Sequence, residues 1–209
     1  QRASGLPART AYPEELGLDP TGRVHAFIEL PGDDPAMALI LLDGATGAVL
    51  EARQGAGDCF VSSWVWSGDV ALAGCEWNGR MLRFSPEQDL WFDPVPVGGG
   101  ELEELAVDGV DGTLLTTGLW SSPWLRRLDP KTGKVLDRAR VGRFAWGLAL
   151  DDQQRVWVAD FYGRQLRRFD RTLQPDVRAG VGYGVRALAY SPRHTAVLAA
   201  SGYDGTLHA

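Results

Sequence analysis

The stretch WVADFYGRQLRRFD, residues 157–170, contains the middle of one repeating unit. A short apolar strand ends at Asp160, an aromatic follows at Tyr162, and an alternating run leads to Phe169 and Asp170. AGCEWNGRMLRFS (73–85) and TTGLWSSPWLRRLD (116–129) repeat the layout, and the last copy carries Tyr203. The marker aromatics Trp77, Trp120, Tyr162 and Tyr203 stand 43, 42 and 41 residues apart. A period of about 40–45 residues without helical patterning is the signature of a β-propeller, each repeat being one four-stranded blade.

A second marker keeps the same register. Apolar strands run into polar turns at Asp19, Ser67, Asp108, Asp151 and Ser191, within LGLDPTGRV, WVWSGDVAL, LAVDGVDGTL, LALDDQQRV and LAYSPRHTAV. Each is an alternating run, a turn and a second alternating run, which is a hairpin signal. These are strands A and B of a blade. Strand C follows in MALILLD, GRMLRFS, PWLRRLD, RQLRRFD and the short GTLHA. Turns such as DGATG (43–47) and DPKTG (129–133) then lead to strand D in AVLEAR, LWFDPVPV, KVLDRARV and PDVRAGV. Asp and Pro open such turns and Gly supplies their left-handed position. Pro94 and Pro96 suit only an outer strand. The expectation is an all-β fold with essentially no helix: a single domain over residues 1–209, five blade units, strand A innermost. The fifth unit lacks its outermost strand unless residues 1–10 add to it. The count points to part of a larger ring of six or more blades, the alternative being closure by residues 1–9.

Composition narrows the function classes. A chain of 209 residues, 44% apolar and 23% charged, can bury one sizeable core. Its net charge of −6 argues against a general nucleic-acid binder, which needs a basic face. No run approaches the roughly 18 apolar residues of a membrane span.

The segment 157–170 resembles the NHL-type propeller repeat. PEELGLDPTGRV and LEELAVDGVDG resemble blade starts in gluconolactonase and senescence-marker propellers and in strictosidine-synthase-like proteins. The DPKTG turn is shared with quinoprotein propellers, whose cofactor-binding residues find no counterpart here. In the lactonase-like propellers a Glu five residues before the turn Asp, with Asn and Asp from other blades, binds a divalent metal. The matching positions here are Glu14, Ser62, Glu103, Trp146 and Arg186. Only Glu14 and Glu103 keep the family's Glu, and Asn78 is the sole Asn. A hard cation wants about six oxygen ligands, and a guanidinium in the same ring repels it. The expectation is therefore no metal and no cofactor, with a polar channel mouth where Arg186 pairs with the glutamates.

Strand A begins on the face that carries the B–C loops. That face would gather Trp77, Trp120, Tyr162 and Tyr203 with Glu14, Glu103, Trp146 and Arg186. Aromatics and Arg dominate binding hot spots, although aromatics repeated in register also serve to wedge blades together. Trp64, Trp66, Trp146 and Trp157 fall inside strand patterns and suit core positions. The reading is a non-enzymatic platform that binds a protein, peptide or small polar ligand on the B–C and D–A loops. The alternative is a metal-dependent lactonase or lyase working at the channel mouth.

Other candidates are weaker. His25, His194 and His208 are not placed near a nucleophile motif. GVGYGV (180–185) precedes a strand rather than a helix, so it reads as a D–A turn instead of a pyrophosphate loop. Arg164 and Arg168 share a face of strand C and read as a solvated edge. Cys59 and Cys75 flank the A–B hairpin of the second blade, close to opposite each other. They form either a disulfide, which would favour an extracytoplasmic location, or two buried thiols.

Overall fold

The computed structural model describes residues 12–19, 21–30, 36–54, 59–85, 88, 90–98, 100–118 and 122–209. The chain is all β and folds as a five-bladed propeller, with no helix among the described residues. Blade 1 is β1 (Tyr12–Leu18), β2 (Val24–Leu30), β3 (Ala36–Leu42) and β4 (Val49–Gln54). Blade 2 is β5 (Val61–Ser67), β6 (Val70–Cys75), β7 (Arg80–Ser85) and β8 (Leu90–Pro96). Blade 3 is β9 (Leu105–Val107), β10 (Leu114–Thr116), β11 (Trp124–Leu128) and β12 (Val135–Arg140). Blade 4 is β13 (Ala145–Leu150), β14 (Val156–Asp160), β15 (Gln165–Phe169) and β16 (Pro175–Gly180). Blade 5 has three strands, β17 (Val185–Ser191), β18 (Ala196–Ser201) and β19 (Leu207–His208). Within each blade neighbouring strands pair antiparallel in chain order. Among the described residues blade 5 shows these three strands; residues 1–10, on which the expectation of a fourth depends, lie outside the described residues.

The innermost strands β1, β5, β9, β13 and β17 touch in succession, so strand A lines the axis. The core is a series of layers between blades. Phe27 and Leu39 of blade 1 pack on Trp64 and Phe84 of blade 2. Leu72 and Met81 of blade 2 meet Leu102, Leu114 and Leu128 of blade 3. Leu115 and Leu125 of blade 3 meet Val156, Val158 and Phe169 of blade 4. Leu166 of blade 4 closes on Val185 and Ala199 of blade 5. Blades 2, 3 and 4 are therefore apolar on both faces, and each large side chain buried in these layers contributes about 1.5–3 kcal/mol because a neighbouring blade covers it. Pro94 and Pro96 sit in β8, the outer strand of blade 2, where a missing N–H breaks no ladder.

The turn aspartates are structural hubs. Asp19 Oδ1 accepts the backbone N–H groups of Thr21 and Arg23 and the Thr21 hydroxyl; its Oδ2 receives Arg23 Nε at 2.6 Å and His25 Nε2 at 3.0 Å. Asp151 repeats the device with Gln153, Arg155 and the indole N–H of Trp157. The shared text is Asp, three residues, Arg, Val and a ring donor. His25 is thereby occupied in holding a turn, and Trp157 is its counterpart in blade 4.

Burial works to raise the Asp19 carboxyl. The bonds from the Thr21 hydroxyl, the Arg23 N–H, the His25 ring and the Arg23 side chain outweigh it and hold the group well below the ordinary value of 3.8. A depressed folded-state pKa gives stability that is full above the unfolded value and lost as pH falls. Asp19→Asn is expected to cost about 1–2 kcal/mol near neutrality. The gap between variant and parent should narrow below about pH 4. Urea unfolding across pH 3–7 measures it, and a gap that widens on acidification contradicts this account.

Candidate functional site

One backbone feature creates the site. Strand A opens with a β-bulge in blades 1, 2, 4 and 5. The register slips between Pro13 and Glu15, Val61 and Ser63, Ala145 and Leu148, and Val185 and Ala187. Glu14, Ser62, Trp146 and Arg186 are the residues at the slips. In blade 3 the backbone bonds Glu103 N to Thr117 O and Thr117 N to Glu104 O run just ahead of β9. A bulge bends its strand and re-aims its side chain. The five positions found by counting back from the turn anchors are thus the places where the inner strands deform at one end of the channel.

The loops around that end are tied together. In blade 4 Phe161 N donates to Phe144 O at 3.0 Å, joining the B–C turn to the preceding D–A loop. The buried Asp160 carboxylate accepts the N–H groups of Gly163 at 3.1 Å and Arg143 at 3.4 Å. Gly142 and Gly163 press on it so closely that a Cβ on either would collide with the carboxylate. In blade 5 Gly202 N donates to Gly184 O, and Ser201 Oγ donates to Tyr183 O at 2.7 Å. Gly184 sits at φ 83°, and a Cβ there would lie 2.6 Å from the Tyr203 ring. Both reasons require glycine.

These ties gather an aromatic cluster across blades 4 and 5. Phe161 lies at its centre, with ring centroids 5.2 Å from Trp146, 5.0 Å from Tyr162, 5.3 Å from Tyr183 and 5.7 Å from Tyr203. Phe144 packs on Trp146, Phe161 and Tyr162. Phe144 and Phe161 are buried, whereas Tyr162 is 43% and Tyr203 62% exposed. The exposed Arg186 guanidinium rests 4.3 Å from the Trp146 centroid, 5.6 Å from Tyr203 and 5.8 Å from Phe161. Arg164 lies 5.5 Å from Tyr183. Among the described residues neither cation pairs with a carboxylate, whereas Arg23, Arg53, Arg127, Arg155, Arg168 and Arg171 all do.

Four of the eight residues expected on the binding face, Trp146, Tyr162, Tyr203 and Arg186, come together here. Trp77 occupies the matching turn of blade 2, 66% exposed, with no ring partner among the described residues. Glu103 is buried rather than displayed. Trp120 and the Glu14 side chain lie outside the described residues. The expected pairing of Arg186 with Glu103 is corrected: the guanidinium is held by rings. Arg164 is corrected too. It precedes β15, in the turn, at φ 54°, the position that Gly79 and Gly205 hold in blades 2 and 5. Phe144, Phe161 and Tyr183 were missed as site residues. Among the described residues no group of three His, Cys, Asp or Glu could hold a metal ion.

Cys59 and Cys75 are joined as a disulfide, with Cα atoms 5.1 Å apart, inside the layer between blades 1 and 2.

No protein-family model matches the sequence, and no curated protein matches it. Solved structures do. A catalytically inactive variant of virginiamycin B lyase from Staphylococcus aureus, with quinupristin, superposes with a TM-score of 0.73 at 11% identity, over 100% of this chain and 72% of that one. The selenomethionine-substituted lyase from the same organism gives 0.71 at 11% identity, over 94% and 68%. At that identity the likeness shows the propeller fold alone.

Proposed function

We propose that the chain is a binding platform for a polar ligand or peptide, received on the B–C and D–A loop face of blades 4 and 5. The carrying observation is Arg186: an exposed cation, seated on three rings and unpaired with any carboxylate of the described residues. A guanidinium on an aromatic face is held in place while its N–H edges stay available. The loops beneath are fixed through Asp160 and the glycines around it, so the surface is organised before a ligand arrives. The ring of bulge positions mixes acid, hydroxyl, indole and guanidinium, which suits recognition of a polar group and suits a cation poorly.

A small polar fragment library, read by amide chemical shifts, tests this. Binders should move the amides of Trp146, Tyr162, Arg186 and Tyr203, and Arg186→Met should weaken them at least tenfold. Binders that cluster elsewhere overturn the platform. So does micromolar calcium, magnesium or zinc binding that is lost in Glu14→Gln or Glu103→Gln and accompanied by lactone hydrolysis. That result would install the metal-dependent enzyme in its place.

A further inference from the structure

We infer that the group received at this face is a carboxylate carried beside a planar ring, with Arg186 as the residue that grips it. The inference rests on the platform reading above and names its ligand chemistry. The first ground is charge. Among the described residues Arg186 and Arg164 sit on rings with no carboxylate, as Arg83 and Arg138 do on Phe92 and Trp124. Arg186 differs in being exposed at the loop face with three rings around it, which leaves its charge open to an anion from outside.

The second ground is shape. Trp146 covers the Arg186 guanidinium at 4.3 Å, which uses the ring-facing surface of the group and leaves the planar N–H fork for in-plane bonding. That fork fits the two oxygens of a carboxylate. The third ground is what surrounds it. Tyr203, 5.6 Å from the cation, and Tyr162, packed on the same Phe161, are both well exposed, so a planar body attached to the carboxylate has aromatic surface on which to lie.

A monoanion fits better than a dianion. Asp204 follows Tyr203, and bonds from the Thr206 hydroxyl and the Thr206 backbone N–H hold its carboxyl down at about 2, so it is charged at neutral pH. Its carboxylate lies against Gly182, in the loop that carries Tyr183. A phosphate dianion there meets a like charge with a single forked donor to offset it.

Calorimetry at low ionic strength with four probes decides the matter: N-acetyl-L-tyrosine, N-acetyl-L-tyrosinamide, phenyl phosphate and sodium acetate. N-acetyl-L-tyrosine should bind at least tenfold more tightly than its amide and than acetate, and no more weakly than phenyl phosphate. Arg186→Met should bring the acid down to the level of the amide without moving the thermal midpoint, and Arg186→Lys should recover only part of the difference. The free acid of Gly-Gly-Tyr separates the two sources of the group: tighter binding than N-acetyl-L-tyrosine assigns a chain-terminal carboxylate, weaker binding a small aromatic acid. Equal binding of acid and amide that still perturbs Tyr203 and Arg186 overturns the carboxylate and leaves the platform standing. Tenfold tighter phenyl phosphate overturns it in favour of a phosphate. No binding by any probe, with library binders found elsewhere, overturns both.

Discussion

Asp108→Ala is expected to destabilise the protein by about 3–5 kcal/mol, the cost of depriving a buried charge of its nearest and best-buried partner. Asp108 is fully buried and accepts Arg127 NH1 at 2.8 Å. In blades 1 and 4 the turn aspartate finds its arginine four residues on, at Arg23 and Arg155. In blade 3 that position is Gly112, and the cation comes instead from β11. Arg127 also donates NH2 to Arg171 O at 2.9 Å, so the substituted turn becomes a clamp between blades 3 and 4. Arg171 approaches Asp108 and Asp111 at 3.5 Å in return. Removing Asp108 leaves a guanidinium whose residue is 8% exposed with only the more distant and more exposed Asp111 carboxylate, at 3.5 Å, to offset its charge. For a chain of this size the loss corresponds to roughly 6–20 °C in thermal midpoint. The double variant Asp108→Ala/Arg127→Met should regain a large part of it, because the penalty belongs mostly to the buried cation. A double variant no more stable than Asp108→Ala alone contradicts this reading.

The same blade marks where sequence reading succeeds and where it stops. Period, turn chemistry and strand alternation are local properties, and every blade repeats them, so fold and strand order were legible. The anchors at Asp19, Asp108 and Asp151 were found for that reason. Their partners were not, because Arg127 reaches Asp108 across two strands and no local pattern records it. The site was half legible. Counting five residues back from each anchor found the bulge positions, but a bulge leaves only a one-residue slip in alternation, which Gly147 beside Trp146 and Ala187 beside Arg186 conceal. The marker aromatics were found by period, whereas Phe144 and Tyr183 sit in D–A loops that vary between blades. Tyr183 was hidden inside a glycine-rich run that read only as a turn. The cluster forms in blades 4 and 5 and not around Trp77 because the bulge residues there are Trp146 and Arg186, which carry rings and charge to the rim. Blades 2 and 3 offer Ser62 and the buried Glu103 at the same positions.

Loss of the Cys59–Cys75 bond should cost about 3 kcal/mol, the chain-entropy expectation for a loop of this length. The two residues lie 16 apart in sequence and close the hairpin of β5 and β6. That hairpin is a junction in the assembly. Cys59 and Cys75 are both buried in the layer that packs Phe27 of blade 1 on Trp64 and Phe84 of blade 2. Val61 pairs with Cys75 directly beside the bulge at Ser62, where the ladder is interrupted. Ser62 Oγ donates to Leu102 O and Ser63 Oγ accepts from Leu105 N, so the same strand also holds blade 3. The covalent bond therefore restrains the weakest point of a strand on which two neighbouring blades depend. In Cys59→Ala/Cys75→Ala the thermal midpoint should fall by about 6–12 °C. Dithiothreitol should lower the parent's midpoint by a comparable amount and leave the double variant's unchanged. Such a bond forms and persists in an oxidising compartment. Protein made in a reducing cytoplasm should accordingly carry two free thiols, titratable once the protein is unfolded, and gain stability on oxidation. A parent indifferent to reductant, with both thiols shown to be bonded beforehand, would remove the disulfide from the account of stability and leave the inter-blade packing to hold this junction alone.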